Sequence, residues 1–536
     1  MNYSKKLLLY ISGVTLVLGA CTKDFQEINT TPGLPVKADI PPLVNGVIKT
    51  LFLKGQEQAA IHNEYYYPVT QLGAVSTLSS GYLVQNGALD VWTDYYSSLQ
   101  DLNLIQDKIN AYSGDKTEMN NVQAVAYILR AYKTLRMTDQ FGDIPYFQAA
   151  RSYTGNTSLY RPKYDSQKSI YDSVLTQLVW ASKNINTAAS PTTAAGKPYA
   201  TIGSSETFFN NNMLKWQKFG NSLLLRHAMQ IVEKDPATAT PILQYALSGI
   251  PLIEEGEDVG MWPANLNNYV LNDSRFWSFT SHKAMRMSNT CWNQMADGTA
   301  PAQIFDPRVY IFFETNQAGN WAPYVLGSGV TDISNPYQDK RDADITLKDN
   351  TPFSAFNYYL VRDIHYQPEL FMTAAEVHFL KAEAFARGLG LVKDMGQAAV
   401  EYKAGITSSV NFWYMIAHTT NVQNDNWAAV APANPTPAQM DALFNNAKVA
   451  FTGTDDQLLN KIYAQEWLSF FREPWLAYNL WRRTGRTPRI GNPDKYANFN
   501  RLQYPLRESI DNMDNYKTQS DLMGGNSTTV KVWWMK

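Results

Sequence analysis

Apolar residues recur at helical spacing along most of this chain, and this periodicity constrains its fold more than any other feature. The amphipathic segments are two dozen residues long or shorter and lie at residues 89–112, 122–137, 170–182, 214–232, 370–386 and 458–471. A short polar break, such as residues 113–116, separates some neighbours. Neighbouring amphipathic helices bury their apolar faces against each other. The pattern therefore predicts a mostly α-helical scaffold of stacked helix hairpins.

The periodicity is lost between residues 256 and 361. This segment is rich in Gly and Asn, and it contains prolines at positions 263, 301, 307, 323, 336 and 352. Proline breaks long helices. We therefore predict a loop-rich insertion at 256–361, between scaffold segments at 38–255 and 362–483, with an irregular C-terminal segment at 484–536. Loops on a rigid scaffold often carry binding residues, so the insertion is the candidate ligand face.

The N-terminus has the pattern of a lipoprotein signal. Lys5 and Lys6 precede an apolar run at 7–18, and a Leu-Gly-Ala sequence directly precedes Cys21. This pattern predicts a signal peptide at 1–20, acylation of Cys21 and a turn-rich tether at 21–37, and so a body anchored in the membrane by lipid. An uncleaved anchor, or an ordinary signal with a chance cysteine, is the alternative. With Cys21 acylated, Cys291 has no disulfide partner.

Charge and motif content exclude several function classes. The formal net charge of -2 argues against a nucleic-acid ligand, and two cysteines are too few for a cysteine-based zinc site or an iron–sulfur cluster. No zincin, nucleophile-elbow, P-loop or dinucleotide motif occurs, which predicts neither an enzyme nor a cofactor. Acidic clusters could be forced into a hydrolase or calcium role, but such clusters are more often solvated loops. They comprise Glu254, Glu255, Glu257 and Asp258, and then Asp339, Asp342, Asp344 and Asp349.

Short motifs spread over the whole chain match one known family. They read CTKDFQEINT at 21–30, TDQFGDIPY at 138–146, YDSQ at 164–167, WQKF at 216–219, DPR at 306–308, AEV at 375–377, KAEA at 381–384, WRRTG at 481–485 and WW at 533–534. With these motifs the chain resembles the SusD/RagB-like outer-membrane lipoproteins of Bacteroidetes, in particular the SusD-like subgroup.

This resemblance has three implications. It implies a fold of tetratricopeptide-like helix hairpins with an irregular ligand-facing region. It implies capture of nutrients, usually oligosaccharides, at the cell surface, with the protein anchored by lipid in the outer membrane. It also implies a partner, a SusC-like TonB-dependent outer-membrane barrel over which such proteins sit as a lid. The family's ligand residues lie in variable loops, so no motif transfers a binding site to this chain.

Aromatic residues are the candidate ligand-binding side chains, because a flat ring can cover the C–H face of a sugar. We predict an oligosaccharide site formed by Trp262, Trp277, Trp292, Trp321 and Tyr337, with a contribution from Tyr82. A ring that buries roughly 50 Å² of sugar contributes about 1 kcal/mol, whereas millimolar binding needs about 4 kcal/mol. Several rings must therefore converge. A peptide-binding RagB-like protein, or a helical scaffold without its own ligand, is the alternative.

Overall fold

A computed structural model describes residues 39–53, 55–75, 81–262, 276–280, 285–326, 328–332, 334–337, 351–362, 368–419, 421–422, 425–491 and 496–536. The longer α-helices are α1 Ile40–Lys49, α2 Gly81–Ala111, α3 Asn120–Phe141, α4 Gln167–Asn184, α5 Met213–Ile231, α6 Pro236–Ala246, α7 Ala374–Arg387, α8 Met395–Thr419, α9 Pro437–Asn445, α10 Asp455–Ser469, α11 Pro474–Thr484 and α12 Met513–Leu522. Short α-helices span Tyr67–Thr70, Asn289–Asn293, Val309–Phe312, Tyr358–Arg362 and Glu508–Asp511. A π-helix spans Glu57–Tyr66, and 3₁₀-helices span Lys116–Met119, Ser152–Thr154, Thr157–Leu159, Gly203–Ser205, Phe276–Phe279, Pro301–Gln303 and Trp427–Ala429.

Local sequence signals set the ends of these helices. The Ser166 hydroxyl accepts a hydrogen bond from the Ser169 amide and caps the start of α4. Gly142 ends α3 with a φ of 79°, a conformation that a side chain disfavours. Thr454 and Gln457 form a capping box at the start of α10. The periodicity and these caps agree, which is why the predicted helices form.

Helices that follow one another in sequence pack against one another. This holds from α2 through α6 and again for α7 with α8, while α10 packs on both α7 and α11. The predicted mostly α-helical fold of helix hairpins is confirmed. The division of the chain into segments stays a prediction.

Short strands connect the predicted insertion to the helical scaffold. Strands β1 (Gly73–Ala74), β3 (Arg286–Met287), β5 (Ala355–Phe356) and β4 (Phe313–Glu314) form an antiparallel sheet in that order. Strands β2 (Val259–Met261) and β6 (Glu369–Met372) pair antiparallel, as do β7 (Asn421–Val422) and β8 (Asp425–Asn426). The helix predicted from residue 370 is therefore corrected: residues 369–372 form β6, and α7 begins at Ala374.

A single apolar core runs through the scaffold and the described part of residues 256–361. Phe312 stacks on Phe471 with ring centroids 3.9 Å apart, and Phe356 stacks on the same ring at 5.1 Å. Trp216 and Phe219, from one of the family-like motifs, are fully buried, which confirms that they pack in the core. The insertion is thus partly a wall of the core and not only a surface loop.

Candidate functional site

Trp277 lies on a short 3₁₀-helix, Phe276–Phe279, and its side chain is exposed to solvent. Its side chain is 60% exposed, whereas its two C-terminal neighbours are fully buried. The Ser278 hydroxyl donates to Glu64 Oε1 at 3.1 Å, and the Phe279 ring packs 4.9 Å from that of Phe356. A large aromatic residue is thus exposed on a well-anchored turn. Such an exposed ring is suited to contact a ligand.

Three of the predicted ligand rings lie in the core instead. Trp292 and Trp321 are 3% and 7% exposed, and their rings stack on each other with centroids 5.5 Å apart. Tyr337 is 1% exposed and donates its hydroxyl to the Phe356 carbonyl at 2.7 Å. The prediction that these three rings face a ligand is therefore corrected, because a buried face cannot cover a sugar.

Trp262 and Tyr82 complete the predicted set. Trp262 is half-buried, with its indole N–H donating to the Asp258 carbonyl at 3.1 Å and its ring edge-on to Phe412 at 6.2 Å. Tyr82 belongs to the first turn of α2, which packs on the π-helix Glu57–Tyr66. The 3₁₀-helix that carries Trp277 packs on the same π-helix. The roles of Trp262, Trp277 and Tyr82 in binding stay predictions.

The acidic residues near the start of the insertion make structural contacts. Lys218 Nζ lies 2.7 Å from Glu257 Oε2 and 3.2 Å from Glu254 Oε2. Asp258 accepts a hydrogen bond from the Ala374 amide at 3.0 Å, and burial raises its pKa to about 6. These contacts connect residues 254–258 to α5 and to the start of α7. The acidic residues proposed for calcium, Asp339, Asp342, Asp344 and Asp349, lie outside the described residues.

A cleft apart from the Trp277 turn, called the second cleft below, was not predicted from the sequence. It has a volume of about 190 Å³ and lies between the loop that follows α3 and the short helix Glu508–Asp511. Tyr160 stands at it with 55% of its side chain exposed, and Glu508 accepts a hydrogen bond from Tyr164 at 2.8 Å. Its lining combines aromatic rings, carboxylates and an amide, and includes Trp92, Tyr96, Asp511 and Asn512. The turn-rich stretch around Tyr160 is the only sequence signal that could have pointed to it.

One group of potential metal ligands converges among the described residues. It consists of His62 from the π-helix, Glu369 from β6 and Glu473 from the turn before α11, all of them buried. Their nearest ligand atoms all lie within 4.8 Å of one another. Sequence reasoning could not find this group, because its members lie far apart in the chain and no motif links them.

Two further findings bear on where the protein acts. In the part of the chain that the structure describes, no helix combines the length and the apolar character needed to span a bilayer. Cys21 and the whole predicted signal and tether lie outside the described residues, so acylation stays a prediction.

Comparison with known proteins gives a consistent result. Residues 34–510 match the model of a SusD-like family described as "Starch-binding associating with outer membrane". A solved structure named as a chitin-binding protein has a TM-score of 0.66 and 23% identity, over 93% of this chain and 100% of its own. A SusD homologue from Parabacteroides distasonis has a TM-score of 0.67 and 21% identity, over 93% and 98% of the two chains. A chitin-binding SusD homologue from Flavobacterium johnsoniae has a TM-score of 0.62 and 22% identity, over 94% and 98%. At these identities the solved structures establish a shared fold. No curated protein sequence matches this chain.

Proposed function

This chain belongs to the SusD-like family of outer-membrane-associated proteins, and from that premise we propose that it is a cell-surface lipoprotein that binds an oligosaccharide and delivers it to a SusC-like TonB-dependent barrel. Acylation at Cys21 anchors it in the outer membrane. Its role is binding, without catalysis. Two structural neighbours, each named as chitin-binding, support a glycan as the ligand class.

The exposed indole of Trp277 is the observation that carries the proposal. The Trp277 side chain is 60% exposed, while Ser278 and Phe279 anchor the turn that carries it. A preorganised ring loses little conformational freedom when a ligand stacks on it. Trp262 and Tyr82 are the proposed further contributors, because one stacked ring contributes about 1 kcal/mol and cannot bind alone at millimolar concentration.

A glycan array tests the ligand class. The soluble protein from Thr22 onward should bind one family of oligosaccharides, and calorimetry with the best ligand should then give its affinity. Binding to no glycan, together with binding to unstructured peptides, would favour the RagB-like alternative. Binding to neither class of ligand would favour a scaffold without its own ligand.

A pair of matched variants tests the location of the site. Trp277→Ala should weaken binding about 5- to 30-fold, because it removes one stacked ring at a cost of about 1 to 2 kcal/mol. Tyr160→Ala is the control, since Tyr160 is a similarly exposed ring in the second cleft. The reverse result, a loss with Tyr160→Ala alone, would move the glycan to the second cleft. Both variants should keep the wild-type melting temperature.

A further inference from the structure

The π-helix Glu57–Tyr66 is buried along its whole length although it carries many polar side chains. π-Helices are rare, and they occur frequently at functional sites. His62 lies within this one and is only 3% exposed. A buried polar group without a partner is costly, so the surroundings of His62 should supply one.

Hydrogen bonding assigns the two ring nitrogens of His62 different roles. Nδ1 lies 3.1 Å from the Asn63 amide oxygen, which can only accept, so Nδ1 carries the proton. Nε2 therefore presents a lone pair, and it has no hydrogen-bond partner. Metal-ligating histidines show the same division, with the second nitrogen donating to a neighbouring acceptor.

The Nε2 lone pair faces two carboxylates. Glu473 Oε2 lies 4.0 Å from Nε2, and one ligand atom from each of His62, Glu369 and Glu473 lies within 4.8 Å of the other two. Glu473 also accepts a hydrogen bond from the indole of Trp475 at 2.9 Å, which orients its carboxylate. Potential ligand atoms from three separate elements thus converge in the protein interior.

We propose that His62 Nε2 and the carboxylates of Glu369 and Glu473 bind one divalent transition-metal ion of the zinc type. One imidazole and two carboxylates are a known ligand set for such ions, with a fourth position left for water. In a four-coordinate site, metal–ligand distances of about 2.0 to 2.2 Å place the ligand atoms about 3.3 to 3.6 Å apart, so the three side chains would close by up to about 1.5 Å around the ion. The ion would connect the π-helix, β6 and the turn before α11.

This site supports the same π-helix that anchors the Trp277 turn through Ser278 and Glu64. The ion is therefore a structural element beneath the candidate ligand surface. The inference does not rest on a glycan ligand, because every measurement below is made without sugar.

Metal analysis of the full lipoprotein tests the inference. Protein extracted from membranes in detergent without chelators should contain about one equivalent of metal, and stripped protein should regain one equivalent of Zn²⁺. With Zn²⁺ at about a hundred times Kd, the melting temperature should rise by a few degrees. His62→Gln and Glu473→Gln should lose both effects. His378→Gln is the matched control, since His378 lies 2.7 Å from Glu401 near the surface, where adventitious zinc would bind, and this variant should keep both.

A spectroscopic measurement covers the case in which the variants fail to fold. Co²⁺ added to stripped wild-type protein should give visible absorption bands typical of a four-coordinate nitrogen and oxygen site, and Zn²⁺ should abolish them. Wild-type protein that binds neither ion would overturn the inference. Metal that is lost with His378→Gln but kept with His62→Gln would also overturn it. A metal-free Glu473→Gln variant that is more stable than the wild-type protein would overturn it too, because the Glu473 carboxyl would then carry a proton and not bind a metal ion.

Discussion

The buried ion pair between Arg226 and Glu376 gives the sharpest test of how this fold is stabilised. Arg226 lies on α5 and Glu376 on α7, and the two residues are 6% and 1% exposed. Arg226 Nε and Nη2 lie 2.5 and 2.6 Å from the two carboxylate oxygens, and Nη2 also donates to the Phe371 carbonyl at 2.8 Å. Burial lowers the pKa of Arg226, but the charge and hydrogen bonds of Glu376, together with the charges of Tyr132 and Glu473, make the net shift upward.

Replacing Glu376 by Gln keeps the shape of the side chain and removes its charge. The guanidinium then remains buried without its paired carboxylate, and one of its donors faces an amide N–H₂. Loss of one partner of a buried pair costs about 3 to 5 kcal/mol, and we expect a loss of unfolding free energy in that range. The double replacement Arg226→Met with Glu376→Leu should restore stability to within about 2 kcal/mol of wild type, because no isolated charge remains.

Urea unfolding provides the assay. Tryptophan fluorescence and far-UV circular dichroism should give coincident transitions with unchanged m values, so that the midpoints report stability alone. Asp521→Asn is the control, since its exposed pair with Lys517 should contribute nothing measurable. A loss below about 1 kcal/mol for Glu376→Gln would refute the reasoning. Equal losses for the double variant and for the sum of the two single variants would also refute it, because they would show that the two side chains are not coupled.

Three further outcomes are expected. Burial raises the pKa of Asp139 to about 6 from its ordinary 3.8, so between these pH values its carboxyl ionises more readily in the unfolded state than in the folded state. The free energy of unfolding should therefore fall as the pH rises from about 4 to 6. Urea titrations over this pH range should show that Asp139→Asn removes this part of the pH dependence. Trp292→Ala should cost about 3 to 5 kcal/mol of unfolding free energy through a cavity, whereas Trp277→Ala should cost less than about 1 kcal/mol, and thermal melts that reverse this order would contradict the burial pattern. Cys21→Ala should move the protein from the membrane to the soluble fraction in cells without the transporter, because the acyl chains contribute about 0.8 kcal/mol per buried methylene; full retention would contradict acylation.

Sequence reasoning identified the predicted helices because helical periodicity is a local property. The segments at 122–137 and 170–182 lie within α3 and α4, and Gly142 ends α3. The long helix α8, Met395–Thr419, was not predicted. Residues 370–372 were assigned to a helix, because a three-residue apolar run carries no period of its own and only its pairing with β2 makes it part of a strand.

Burial of the aromatic residues could not be predicted in the same way. Composition showed that the insertion is rich in tryptophan, but Trp292 and Trp321 become core residues only because the fold stacks them on each other. Trp277 stays exposed because Ser278 and Phe279 occupy the core beside it. Both outcomes depend on partners remote in sequence, and no local pattern encodes such partners.

The chain's periodicity, proline distribution and motifs determined by themselves the helical class, the family and the candidate ligand class. Tertiary structure alone decided which rings face solvent, which carboxylates pair with Arg226 and Arg483, and that His62 meets Glu369 and Glu473. The physical reason is range. Helix formation depends on residues three or four positions apart, whereas exposure, ion pairing and ligand convergence depend on side chains that meet only after the chain has packed.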